Sequence, residues 1–141
     1  RRTNVVATHK GEASFPGGAY ENGDESPEET AKREAMEEIG LAPEDVHLIG
    51  RLPVMRIFPV FEVTPVVAWI EPSSEFSLCE AEVVKVFTVP LKWLADPDNS
   101  GDQIIIHNGV EVPVLHYKPY RGEQVWGATA YLARSLARLI A

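Results

Sequence analysis

Three glutamates, Glu34, Glu37 and Glu38, stand at positions i, i+3 and i+4, with Arg33 immediately before the first. On a helix that spacing puts all three carboxylates on one face. Like charges so close destabilise an isolated helix, but they become useful when a hard divalent cation sits among them. Mg²⁺ takes oxygen ligands and keeps several waters, which suits a few carboxylates together with the phosphates of a substrate. Such a cluster could hold a divalent ion that meets the phosphates of a substrate. Arg33 can pair with Glu29 or Glu37 by helical spacing, or reach back to Glu25 in the preceding loop. A lone acidic helix face is more often simply solvated, so its setting decides.

That setting is a well-marked helix. Ser26 is a good N-cap, Pro27 sits at the first helical position, and Glu29 completes a Ser-x-x-Glu capping box. Gly40 is the natural stop, which predicts a helix over 27–39. Ahead of it, residues 9–26 are rich in Gly, Ser, Asn and Asp and contain Phe15-Pro16-Gly17-Gly18. They read as a long loop of the kind that carries function. Val5-Val6-Ala7 reads as the end of a strand or as loop. Strand-like runs follow at Val46 to Leu52, Val54 to Phe61 (interrupted by Pro59), Val63 to Ile70 and Val83 to Val89. Pro90 to Leu94 reads as a short helix or turn. Ile104-Ile105-Ile106 and Val110 to Tyr117 flank Asn108-Gly109, a strong hairpin signal. Glu123 to Ile140 has helical periodicity. One helix early, one late and strands between predict an α/β sandwich with a mixed sheet.

Composition narrows the function classes. The 141 residues are 45% hydrophobic and 24% charged, which fits one globular domain with a real core. No apolar run approaches the roughly 20 residues of a bilayer span, so no membrane role is expected. The net charge of −8 argues against nucleic acid as a partner. It also means that an anionic substrate must be met by a bound cation and a few local Arg or Lys. The single cysteine, Cys79, rules out an intrachain disulfide and a cysteine-built zinc site. It fits a cytoplasmic setting and reads as a partly buried thiol with no catalytic role. Arg1-Arg2-Thr3 is not a natural start, so residues 1–141 read as a single domain lacking an N-terminal segment.

The helix and its loop resemble the Nudix box: Gly, five residues, Glu, seven residues, Arg-Glu, an aliphatic, any residue, Glu-Glu, any residue, Gly, an aliphatic. Glu25, Arg33, Glu34, Glu37, Glu38, Gly40 and Leu41 fall in place. Two departures stand out. Six residues rather than five separate Gly18 from Glu25, and Ala35 replaces a larger aliphatic. The extra residue leaves Asp24 and Glu25 as rivals for the structural loop acid, and spacing to Arg33 favours Glu25. The resemblance implies a Nudix-type α/β/α sandwich and a Mg²⁺ or Mn²⁺ cofactor held by Glu34, Glu37 and Glu38. It also implies that Arg33 orients a glutamate. A fourth acid often comes from a later loop, where Glu82 and Glu80 are the candidates. The general base is left among Glu37, Glu80 and Glu82.

The similarity runs beyond the box. Arg1-Arg2-Thr3, His9-Lys10-Gly11 and Ser14-Phe15-Pro16-Gly17-Gly18 look like the signature of the coenzyme A pyrophosphatase subfamily. So do Leu48-Ile49-Gly50-Arg51-Leu52, Val63-Thr64-Pro65-Val66-Val67, Glu82-Val83, Val86-Phe87 and Val125-Trp126-Gly127-Ala128-Thr129-Ala130. The implied substrate is coenzyme A or an oxidised or acylated form, cleaved to 3′,5′-ADP and 4′-phosphopantetheine. Arg1, Arg2, His9 and Lys10, with the backbone of Gly17 and Gly18, are the candidates to meet its phosphates. Trp126 and Tyr120 are candidates to stack on adenine, although Trp126 reads better as packing the start of the last helix. Similar proteins are often dimers, so a homodimer is the assembly to test.

Overall fold

The computed structural model describes residues 1–4, 11–57 and 61–140. Val5 to Lys10, which include the strand or loop expected at 5–7 and the candidates His9 and Lys10, lie outside the described residues, as do Phe58 to Val60. The chain forms two compact units, Arg1–Gly11 with Phe15–Val86 and Glu12–Ser14 with Phe87–Ala141. Among the described residues no helix is long and apolar enough to cross a membrane.

In the first unit, α1 spans Pro27–Ile39, as the capping signals predict. Ser26 has extended backbone, and its Oγ accepts from the Glu29 N–H at 3.3 Å. The return half of the box is displaced by one residue: Glu29 Oε2 accepts from the N–H of Glu25 at 2.7 Å. Gly40 ends the helix in the left-handed region, at φ 66°. A side chain there would be strained, and its Cβ would meet Ser77 O at 2.6 Å. Residues 77–79 cross this end of the helix, where Ser77 N and Cys79 N donate to the carbonyls of Ile39 and Glu38, each at 2.9 Å. They thereby satisfy C-terminal acceptors that the helix leaves open. Ala35, Ile39 and Leu41 form the small buried core here, with Val46, Leu78, Val83 and Val86 against them.

Two antiparallel ladders complete this unit. β1 (Val46–Arg51) pairs with β4 (Val66–Ile70), with an irregularity between Leu48 and Gly50. The run expected as one strand from Val54 to Phe61 is instead β2 (Met55–Ile57) paired with β3 (Phe61–Val63). The strand expected over Val83 to Val89 does not form. Val83 and Val86 both pack on the α1 core, an i, i+3 relation that extended alternation cannot produce. Cys79 O instead accepts from the N–H groups of Glu82 and Val83, making a turn.

In the second unit, the short helix α2 (Leu91–Ala95) precedes the hairpin of β5 (Ser100–His107) and β6 (Val110–Tyr117). Asn108 and Gly109 both have positive φ, 51° and 77°, the conformation that a two-residue primed turn requires. α3 begins at Gly127 and runs to Ile140, four residues later than Glu123. Gly127 has φ 62°, which breaks helical continuity. The stretch before it is extended: Trp126 bridges to His116, and Tyr117 N donates to Val125 O at 2.9 Å. Leu115, Tyr117, Val125, Ala130 and Ala133 form this unit's core, with Ala13, Phe87, Trp93 and Leu94 packed on it. The mixture of helix and sheet is the α/β class expected. The ladders among the described residues are all antiparallel, so the parallel pairing of a mixed sheet is not among them.

Candidate active site

The site grows from α1 and the loop ahead of it. Arg33 is its hub. Its guanidinium grips Asp24 with two bonds, Nε to Oδ1 at 3.2 Å and Nη2 to Oδ2 at 3.1 Å. The same group donates to Ala19 O at 3.0 Å, to Glu34 at 3.2 Å and to Glu37 at 3.3 Å. A forked pairing of this kind fixes orientation as well as charge. It ties the loop to the helix and holds two of the three box glutamates.

Asp24, not Glu25, therefore takes the loop-acid position. Asp24 also accepts from the Thr30 hydroxyl at 2.9 Å and from Glu21 N at 3.0 Å. The Arg33 hydrogen bonds, with these others, hold its carboxyl at about 2. Glu25 is exposed and contributes its backbone N–H to Glu29. The correction has a simple cause. Counting five residues from Gly18 reaches Asp24, so the loop keeps its length, and the extra residue lies between the acid and the helix. That count was the available signal.

Gly18 explains its own identity. A Cβ on it would overlap the carboxylate of Glu34, so a side chain there would push that carboxylate out of its place beside Arg33. The backbone of Gly17 lies near the Glu38 carboxylate and favours its charged form.

Glu38 is the buried member of the trio, 8% exposed. Burial pushes its carboxyl up to about 7, the neighbouring Glu34 and Glu82 carboxylates push the same way, and Arg2 and Gly17 oppose them. Arg2 is brought there by backbone pairing. It bridges Val83, while Thr3 N donates to Glu82 O and Val84 N to Arg1 O, each at 2.8 Å. The Nε of Arg2 is buried and has no hydrogen-bond partner among the described residues. Arg1 is exposed, and its terminal amine donates to Lys85 O.

Of the two later acids, Glu82 is the one whose charge reaches Glu38; Glu80 is exposed on the same turn. Glu37 stands apart, with its side chain 57% exposed and turned to Arg33. Among the described residues, no three His, Cys, Asp or Glu side chains already form a ligand set. The donor chemistry nevertheless fits a hard cation. Glu34, Glu38 and Glu82 are all carboxylates, and their mutual repulsion is what a divalent ion would relieve.

In the second unit, Trp126 stacks on His116 with ring centroids 5.5 Å apart, and Tyr120 packs on Trp93 at 5.0 Å. Trp126 thus packs locally at the start of α3. Cys79 is a free, half-buried thiol beside the end of α1.

Residues 1–108 match the family model for the NUDIX domain. The chain is 36% identical over 137 residues to an uncharacterised Nudix hydrolase NudL of Pectobacterium atrosepticum, covering 97% of this chain and 71% of that protein. It is 37% identical over 139 residues to the protein of the same description in Citrobacter koseri, with the same coverage of 97% and 71%. In Photorhabdus laumondii the identity is 31% over 140 residues, covering 99% of this chain and 74% of the relative. The chain belongs to the Nudix family, whose hydrolases generally use divalent metal ions.

Proposed function

We propose that this Nudix hydrolase cleaves the pyrophosphate linkage of coenzyme A, or of an acylated or oxidised form, to 3′,5′-ADP and 4′-phosphopantetheine. The observation that carries the reading is the position of Arg2. It belongs to the stretch that resembles the coenzyme A pyrophosphatases, and it lies by Glu38 with an unpartnered, buried Nε. A guanidinium there is suited to a substrate phosphate. Mg²⁺ or Mn²⁺ is the proposed cofactor, with Glu34, Glu37 and Glu38 as its ligands and Glu82 beside them. Glu37 joins only by releasing Arg33. When bound, the ion neutralises the pyrophosphate and eases deprotonation of water.

The chain's own groups divide the remaining work. Arg2, and in this reading Arg1, His9 and Lys10, hold substrate phosphates. The N–H groups of Gly17 and Gly18 shape the floor on which the pyrophosphate rests. Arg33 orients Glu34 and Glu37. Water oxygen joins one phosphorus as the bridging P–O bond breaks, and one of Glu37, Glu80 and Glu82 takes the proton. The reading places residues 1–141 in one catalytic domain, in the cytoplasm, acting as a homodimer on a small molecule rather than on nucleic acid or membrane. The unpaired Cys79 supports a reducing compartment.

Mass-spectrometric product analysis tests this directly. Coenzyme A, ADP-ribose, NADH and a nucleoside triphosphate are supplied separately with Mg²⁺ or Mn²⁺. Preferential release of 3′,5′-ADP and phosphopantetheine is expected. Preference for another substrate discards the coenzyme A reading and keeps the chemistry. No cleavage of any substrate points to a binding module, against which the intact box glutamates argue.

A further inference from the structure

In the second unit, Leu94, Ala95, Asp96, Pro97, Ser100, Arg134 and Arg138 line a cavity of about 210 Å³. Arg134 and Arg138 are one turn apart on α3. Two like charges at i, i+4 destabilise a helix, a cost that a bound anion between them would relieve. The chain has 21 acidic residues against 13 basic ones, yet neither arginine has an ion pair among the described residues. The acid on the cavity wall, Asp96, spends Oδ1 on the N–H of Asp98 at 3.0 Å. The lining charge remains positive, two guanidiniums to one carboxylate.

One of the two guanidiniums is also partly pre-positioned. Arg134 lies over the Tyr131 ring, 5.2 Å from its centroid. Behind the wall, the buried Tyr117 hydroxyl donates to Leu94 O at 3.0 Å and ties α2 to β6. Burial pushes the Tyr117 phenol up, and Arg134 and Arg138 oppose that shift, so both cations act on this wall. Ser100 adds a hydroxyl that can donate to an anion.

We infer that this cavity binds a small phosphate dianion, inorganic phosphate or a phosphate monoester, between Arg134, Arg138 and Ser100. Arginine forks match tetrahedral oxyanions with paired donors, and a phosphate between them removes the like-charge cost on α3. The inference does not rest on the coenzyme A reading and involves neither the box glutamates nor a metal.

The test is an amide NMR titration of the full chain with inorganic phosphate, in EDTA and at constant ionic strength, with chloride as the control. Saturable shifts are expected at Ser100, Arg134 and Arg138. Arg138→Gln should weaken binding about tenfold, the loss of one charge-assisted contact. Arg138 is exposed, so its replacement should leave the fold intact. Arg138→Lys keeps the charge without the fork and should fall between. A second titration with 3′-AMP separates a monoester site from one for the free ion: tighter binding of 3′-AMP indicates the former, phosphate alone the latter. No saturable shift up to about 20 mM phosphate, a weak limit by binding standards, would overturn the inference. So would shifts confined to the Gly17–Gly18 loop, or an affinity unchanged in Arg138→Gln.

Discussion

Arg33 shows how one side chain decides the state of several others. Its guanidinium is shared among Asp24, Ala19 O, Glu34 and Glu37, and among the described residues Asp24 alone is held by two of its nitrogens. In the proposed reading, Asp24 would keep Arg33 in place while Glu37 turns from it to the cation. Asp24→Asn keeps the size and removes the charge. Steady-state turnover at saturating metal should fall roughly 10–100-fold, the usual cost of losing a partner that orients a ligand. Glu25→Gln should leave turnover near wild type, since that side chain is exposed and its structural contribution is a backbone N–H. The reverse ranking would show that the Asp24 grip is not that of the working enzyme. Gly18 belongs to the same argument: the carboxylate it makes room for, that of Glu34, is one that Arg33 holds.

At the scale of elements, what was legible in the sequence was what is local. The cap at Ser26, the stop at Gly40 and the face carrying Glu34, Glu37 and Glu38 all lie within one helix, and α1 has the predicted limits. The Asn108-Gly109 hairpin is local in the same way. What was not legible depended on the path of the chain. The choice of Asp24 over Glu25 is made by a loop, and Val83 to Val86 follow the α1 core rather than a neighbouring strand. Arg2 reaches Glu38 because residues 1–3 pair with 82–84, a contact no spacing rule announces. Another such contact joins α1 to β1. Arg51 donates to Glu28 through Nε at 2.6 Å and Nη2 at 2.8 Å, and these bonds hold the Glu28 carboxyl at about 2, from an ordinary 4.5. A carboxyl depressed on folding stabilises the native state above its unfolded pKa, and that contribution disappears as pH falls from about 4.5 towards 2. Thermal unfolding measured from pH 6 down to about 2 should therefore slope less steeply in Glu28→Gln than in wild type. Because the pair lies at the surface, added salt should narrow the difference. Identical slopes at low salt would mean that the pair does not persist in solution.

The whole molecule is acidic, and its box acids repel one another in the absence of a cation. A net charge of −8 opposes the compact state, and Glu38, raised to about 7 by burial, Glu34 and Glu82, is where that repulsion is concentrated. A divalent ion that binds the native site and not the unfolded chain must then stabilise the whole fold by mass action. At about 100 times its dissociation constant it contributes about 2.7 kcal/mol, or a rise of roughly 5–10 °C in Tm for a chain of this size. Differential scanning calorimetry with Mn²⁺ or Mg²⁺ against EDTA measures it. Glu34→Gln, Glu37→Gln and Glu38→Gln should each lose most of the metal-dependent rise. Glu38→Gln should also melt higher than wild type in EDTA, because it removes a buried charge that its neighbours disfavour. Glu37→Gln should leave the EDTA Tm nearly unchanged, since its carboxylate is exposed, while turnover falls by at least about 100-fold. The contrast between these two variants separates a metal site from a solvated acidic face. On a solvated face, no glutamate is buried, none gains stability on neutralisation, and the metal-dependent rise is absent in wild type as well. If the rise is present and survives in all three variants, the ion binds elsewhere and the ligand assignment fails.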